Sequence, residues 1–381
     1  MIKPDYKGGS IVNLMSTIIK SCGGSSEYAS LRYLSPKELK KYRNIVLLVI
    51  DGLGYDMIKK NPKSALHRYL SAKMTSVYPP TTAAAVTTFL TGLAPQNHGI
   101  TGWYVHLKEF GSQVMPLPFR YRYGGPALSA VNPLAAKIFN QKSVFDRVKR
   151  ASYLIQGVDV NDSDYTRAHA GKARRLSYKP LSGLFKQLKK VLSVDKKKYV
   201  YAYWDGFDTI SHLYGKNSKE ARKHFKQIDR QFSGLITSLK DTILIVTADH
   251  GHSVATKAST LHVEDHPKLL DALSLPICGE PRTVYCYVHP AKAKQFERYA
   301  RSKLGYACEL HTSEELIKKG LFGLFKPHPG LYDRVGDYVL LMKENYVLLQ
   351  GLLGKPAHEH IGNHGGMSEE ELFVPLIVVK S

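Results

Sequence analysis

The sequence predicts an α/β fold, a mostly parallel central sheet between two layers of helices, with a small α+β insertion at about residues 253–345. Three observations carry this. Five short runs, 44–52, 151–160, 199–206, 241–251 and 371–379, are rich in apolar and β-branched residues and lack polar alternation. Such runs suit strands buried on both faces. Helical periodicity lies between them, clearest in KEARKHFKQIDRQFSGLITSLKD, where Ala221, Phe225, Ile228, Phe232, Leu235 and Leu239 form one apolar face. Strand–helix alternation of this kind builds layered sheets. Between His252 and about Tyr346 the pattern changes to RTVYCYV, the amphipathic AKAKQFERYARSKLG, then SEELIKKGLFG and DYVLLM. We expect one domain over 1–381, with 253–345 inserted in it as a cap subdomain; insertions of this kind commonly cap the active site of a large α/β enzyme.

Composition narrows the class. The chain has 381 residues, 43% hydrophobic, enough for a large core. Its formal net charge is +22, which favours anionic ligands. The cations occur in short groups such as Lys196–Lys198, and no nucleic-acid-binding motif accompanies them. Four cysteines (Cys22, Cys278, Cys286, Cys308) show no metal spacing and are too few for a disulfide framework. The first 24 residues are interrupted by polar side chains and read as neither signal peptide nor membrane span. A cytoplasmic protein without a membrane span is the expectation.

Candidate chemistry sits at strand ends, where α/β sheets bind ligands. Asp51 ends one apolar run, Asp208 and His212 follow another, Asp249 and His250 end a third, and His364 precedes the last. Each alone is an ordinary turn residue. Together they supply three carboxylates and three imidazoles, a mixed oxygen and nitrogen set that suits zinc, with manganese or iron as alternatives. In SVYPPTTAAAVTTFLTGL two prolines precede Thr81 and Thr82 at the start of a helical run. A threonine there either caps the helix or presents a hydroxyl where the helix N-terminus favours negative charge. With that hydroxyl the set numbers seven ligands. Seven divide into two sites, the arrangement of two-metal displacement at phosphorus.

The order Asp51, Thr82, Asp208-x-x-x-His212, Asp249-His250, His364 resembles the alkaline phosphatase superfamily. YPPTT…TGLAPQNHGI and NHGGMSEEELFVPLIV resemble its type I phosphodiesterase/nucleotide pyrophosphatase family. The resemblance implies an alkaline-phosphatase-like α/β/α sandwich and a hydrolase that cleaves phosphodiester or pyrophosphate bonds of small anionic substrates. It implies two divalent ions, one held by Asp208, His212 and His364, the other by Asp51, Asp249 and His250 with Thr82 joining. Thr82 would be the nucleophile, since the family places it nine residues before the threonine of TGL, here Thr91. A phosphothreonine would form and then be hydrolysed, and the backbone N–H of Ala83 is a candidate for the phosphoryl oxygens. His98 is expected to serve structure, and Asp205, His252, His262 and His266 to be surface or supporting residues.

Sulfatases of the superfamily are excluded, because TTAAA offers neither their nucleophile nor their arginine. Phosphomonoesterases, phosphomutases and phosphonate hydrolases remain alternatives; a non-catalytic nucleic-acid binder is a remote one. No arginine lies between Arg68 and Arg120, and three alanines follow Thr82, which favours diesters over dianionic monoesters. An arginine or lysine folding in from 253–345 would reverse this, and Arg282 is one candidate.

Overall fold

The computed structural model describes residues 2–131, 138–352 and 354–381. Seven strands form the central sheet. From edge to edge they are Leu70–Thr75, Phe373–Lys380, Thr242–Thr247, Asn44–Ile50, Lys198–Trp204, Ala151–Gly157 and Arg174–Tyr178. Phe373–Lys380 runs antiparallel to both neighbours, and the other pairings are parallel. All five sequence-predicted strands are present. The two that were not expected, Leu70–Thr75 and Arg174–Tyr178, are the edges.

Asn44–Ile50, Lys198–Trp204 and Thr242–Thr247 are buried at every position, at about 1.5–3 kcal/mol for each large aliphatic side chain removed from water. The register pairs Ile50 with Trp204 and Val49 with Thr247. The three adjacent strands therefore end nearly level, and their C-terminal loops leave the sheet at one place.

The helix Lys219–Ile236 begins at Ser218, whose side chain accepts the Ala221 N–H at 3.0 Å. It buries Ala221, Phe225, Ile228, Phe232 and Leu235, and the next turn of chain buries Leu239. The helix Thr82–Thr91 is buried all round. Its interior hydroxyls bond back to carbonyls, Thr87 to Ala83 and Thr91 to Thr87, both at 2.7 Å. It stops at Gly92 (φ 69°), where a Cβ would stand 2.5 Å from Ile19 Cδ1.

Within 253–345 lies a four-stranded antiparallel sheet in the order Cys278–Glu280, Thr283–Cys286, Tyr338–Met342, Cys308–Thr312. The helix Ala293–Lys303 joins a separate apolar core there, through Phe296 and Ala300. A second excursion, Val105–Leu107, Ser112–Met115 and Arg120–Tyr121, forms a three-stranded sheet that sequence reading did not anticipate. Tyr104 and Gly279 exchange backbone hydrogen bonds of 3.3 and 2.7 Å, which ties the two excursions together. All four cysteines are buried free thiols. Among the described residues no helix is long and apolar enough to cross a membrane.

Candidate active site

The level strand ends bring the singled-out residues together. Asp51 follows Asn44–Ile50, Asp249 and His250 follow Thr242–Thr247, and Asp208 and His212 lie one turn apart on the helix Gly206–Tyr214. His364 follows the short strand Gly362–Asn363. Ligand atoms of Asp208, His212 and His364 all lie within 4.8 Å of one another, and so do those of Asp51, Asp249 and His250. A third set, Asp208, His250 and His252, bridges the two.

Most of these side chains have one atom anchored and another left open. Asp249 Oδ1 accepts the N–H of Gly52 at 3.0 Å and of His250 at 2.9 Å, while Oδ2 has no hydrogen-bond partner. Asp51 Oδ2 accepts the Tyr203 hydroxyl, while Oδ1 has none. His212 Nδ1 donates to the Gly362 carbonyl at 2.7 Å, and His250 Nδ1 to the Gly251 carbonyl at 3.0 Å. That fixes each Nδ1 as a donor and makes Nε2 the nitrogen available to a cation. His250 Nε2 faces Thr82 Oγ1 at 3.1 Å, Asp51 Oδ1 at 3.3 Å and Asp249 Oδ2 at 3.5 Å. His364 Nδ1 also lacks a hydrogen-bond partner, whereas Asp208 Oδ1 has the His252 Nε2 at 2.9 Å. Each buried polar atom left unpaired costs about 1–3 kcal/mol. Several converging lone pairs fit divalent cations in both donor sets.

The electrostatics agree with that fit. Burial, then the charges of Asp208 and Asp249, push the Asp51 carboxyl far up. Burial would raise Asp208 too, but the His212 and His252 imidazoles outweigh it and hold the carboxyl well below its usual range. Burial pushes His212 down, yet Asp208 prevails and brings it up to about 9. Burial, helped by His250 and His212, keeps His364 neutral, and its ring stacks on His250 at 3.8 Å. A bound cation would deprotonate these groups outright.

Thr82 is the first residue of its helix and remains 9% exposed. Thr81 occupies the capping position, yet its hydroxyl makes no cap bond and donates to Glu280 Oε1 instead. The Trp103 N–H donates to the same oxygen at 2.6 Å. Burial pushes Glu280 up to about 7. The first-turn N–H groups, that of Ala83 included, have no acceptor within the helix. Thr82, Asp208, His212 and His364 form one wall of a cavity of about 330 Å³, and Trp103, Tyr104, Arg122, Ile277, Glu280 and Leu349 stand among the other walls.

Several sequence expectations resolve here. Of the two places expected for His252, surface or supporting, it takes the supporting one, buried with Nε2 2.9 Å from Asp208 Oδ1. Arg282 does not line the cavity; it is buried against Glu371 at 2.7 Å. His98 is structural as expected, its Nδ1 accepting the Ile100 N–H at 3.1 Å. His262 pairs with Glu359 at 3.2 Å, His266 with the Tyr299 hydroxyl at 3.0 Å, and Asp205 is exposed. Tyr203, Glu280 and Arg122 carried no motif by which sequence could have found them.

Among solved structures, murine ectonucleotide pyrophosphatase/phosphodiesterase 5 is similar at 18% identity over 87% of each chain, TM-score 0.64. Its inactive T72A variant, solved with AMP, matches at 17% identity with the same coverage and TM-score. Phosphonoacetate hydrolase from Sinorhizobium meliloti, solved with phosphonoformate, matches at 19% identity over 89% of this chain and 90% of that one, TM-score 0.65. At these identities the likeness shows a shared fold. No curated protein sequence matches the chain. A family model described as type I phosphodiesterase / nucleotide pyrophosphatase matches residues 45–367. With most of its length matched to that model, the chain belongs to the type I phosphodiesterase / nucleotide pyrophosphatase family.

Proposed function

We propose that the protein hydrolyses phosphodiester or pyrophosphate bonds of small anionic substrates, with Thr82 as nucleophile and two zinc-type cations held by the two donor sets. Family membership points to a phosphoryl hydrolase. The observation that carries the finer reading is the placement of Thr82 Oγ1, at a helix N-terminus and 3.1 Å from His250 Nε2, between donor sets with unpaired buried oxygens. When bound, such ions stabilise charge on the attacking and leaving oxygens.

The chain's own groups do the rest. The lone pair of His250 Nε2 orients the Thr82 hydroxyl. The first-turn N–H groups, with Ala83 foremost, are aimed where phosphoryl oxygens gather charge. Glu280 holds Thr81 and the Trp103 backbone, so the helix start and the cavity wall keep one spacing. Thr82 Oγ1 then bonds to phosphorus as the bond to the leaving alcohol or phosphate breaks, the hydroxyl proton going to the leaving oxygen; water then breaks the Thr82 Oγ1–P bond, releasing the phosphorylated product and restoring the hydroxyl. Ala83, Ala84 and Ala85 are fully buried and offer no cation beside the nucleophile. The cavity beyond can take the second substituent of a diester. The AMP and phosphonoformate held by the two structural neighbours are anions of a size this cavity suits. Four buried thiols fit a reducing, cytoplasmic setting.

The test compares kcat/KM of zinc-reconstituted protein for a nitrophenyl nucleotide, nitrophenyl phosphate and phosphonoacetate, with Thr82→Ala as control. Diester turnover that exceeds both others and vanishes in the variant supports the reading. A clear preference for the monoester or the phosphonate would replace diester hydrolysis by that alternative.

A further inference from the structure

One charged wall residue has no part in the hydrolysis above. Arg122 follows the short strand Arg120–Tyr121 and enters the cavity beside Ile277 and Cys278. Its Nη1 donates to Gln113 Oε1 at 2.8 Å and to the Ile277 carbonyl, which occupies both protons of that nitrogen. Its guanidinium carbon lies 4.1 Å from the centre of the Tyr104 ring. The titratable groups that face it are Tyr104, Cys278 and Tyr123, none a carboxylate among the described residues. No other lysine or arginine lines this cavity among the described residues.

A partly buried guanidinium without a counter-charge is costly, and it is completed by an anion. Nε–H and the Nη2 protons remain for a ligand. Together they form the planar fork that grips a phosphate or carboxylate through two parallel bonds. The position along the cavity comes from the strand Cys278–Glu280. Arg122 is tied at Ile277, whereas Glu280 is tied to Thr81 beside the nucleophile. Three residue steps separate these ties, a span of at most about 10 Å, shortened where the chain turns at Gly279 (φ 84°). Between them the walls are Cys278, Gly279, Trp103 and Tyr104, a mainly apolar stretch.

We propose that Arg122 recognises a second anionic group, phosphate or carboxylate, on the substrate arm that fills the cavity, so that preferred substrates carry negative charge within about 10 Å of the phosphorus under attack. This rests on the phosphodiesterase reading and names its substrate class. It also separates two roles that a net charge of +22 blurs, general attraction of anions and one placed contact.

The experiment uses nitrophenyl alkyl phosphates whose chain spans that gap and ends in a phosphate, a carboxylate or a neutral methyl ester. Wild type, Arg122→Gln and Arg122→Lys are compared after zinc reconstitution. In wild type, kcat/KM for a charged arm should exceed that for the neutral arm by roughly ten- to a hundredfold, the range of one charge-assisted pair. The larger ratio identifies phosphate or carboxylate. Arg122→Gln should bring the ratio to about one, and Arg122→Lys should keep part of it without the fork. Because each ratio is taken within one protein, loss of folded fraction or overall rate cancels. A wild-type ratio near one, or equal ratios in wild type and Arg122→Gln, overturns the inference while diester hydrolysis stands. If wild type cleaves none of the three, the hydrolase reading falls instead. Calorimetric binding of the same charged and neutral arms then decides Arg122 alone: tighter binding of the charged arm in wild type only supports it, and equal binding overturns it.

Discussion

Two groups of buried charge meet the same solvent-free interior in opposite ways. Arg282 and Glu371 are 1% and 0% exposed, and every tie is made. Arg282 Nε donates to Glu371 Oε1, Nη1 to the Tyr346 carbonyl and Nη2 to the Glu344 carbonyl, each at 2.7 Å. Glu371 also accepts the Gly366 N–H at 2.7 Å and the Ser368 hydroxyl at 2.6 Å. That pair fastens the insertion to the end of the central sheet. The Asp51, Asp249 and His364 group is as buried or nearly so, yet Oδ1, Oδ2 and Nδ1 respectively stand without hydrogen-bond partners. Burial and charge alone do not separate a structural pair from a reactive centre. The open lone pairs do, because a chain that satisfies Arg282 fully has no other evident reason to leave two neighbouring carboxylates half satisfied.

The largest effect that would break this comparison is at Thr82. Thr82→Ala should lower diester turnover on the order of 10⁴-fold or more, as removal of a nucleophile does, with melting temperature little changed. Thr81→Ala loses only the Glu280 contact and should cost far less. The reverse ranking would move the nucleophile one residue back. Next comes His364→Ala. If the open atoms are ligands, elemental analysis should find roughly one ion fewer per chain, and activity should drop by on the order of 10²-fold or more. Unchanged metal content would separate the open lone pairs from metal binding.

Sequence could read the centre better than the frame around it. Asp51, Asp249, His250, Asp208 and His212 were legible because they terminate or follow strands whose continuous apolar character marks burial on both faces. Leu70–Thr75 and Arg174–Tyr178 escaped because edge strands keep one face wet: LSAKMT and RRLSY hold lysine, arginine and serine at exposed or half-exposed positions. Glu280 escaped for another reason. A carboxylate in CGEPRT looks like a turn residue until the antiparallel sheet sets it beside Thr81, 199 positions earlier in the chain. Arg282 was correctly noticed but wrongly placed. Its partner lies 89 residues away, and nothing local distinguishes a fastening arginine from one that serves a substrate.

That distinction predicts a third effect, on stability and not on chemistry. Arg282→Met leaves Glu371 buried with its charge unmatched, and breaking such a pair typically costs about 3–5 kcal/mol. Denaturant unfolding should show that loss, while kcat per folded molecule stays within a few-fold of wild type. A variant that melts normally but loses turnover would instead put Arg282 among the groups that serve the substrate.

The smallest effect concerns a buried residue that belongs to neither group. His169 is 1% exposed and donates Nδ1–H to the Tyr165 carbonyl at 2.8 Å, with its ring 4.3 Å from that of Tyr165. Burial lowers its pKa to about 4, so it is neutral and satisfied where His364 is neutral and open. The folded value lies below the unfolded one of about 6.5. Below that pH the unfolded chain binds a proton that the folded chain refuses until about 4. The stability that depends on neutral His169 is therefore complete above pH 6.5 or so and is lost as pH falls toward 4, at about 1 kcal/mol per pH unit. His98, also buried and lowered, adds a parallel loss of its own. Comparing wild type with His169→Phe in chelator, by denaturant unfolding at several pH values, subtracts that background and any protonation of the metal ligands. The two stability curves should converge in acid, since only wild type has this proton to exclude. Curves that stay parallel from pH 7 to 5 would show that His169 is not held neutral by its burial.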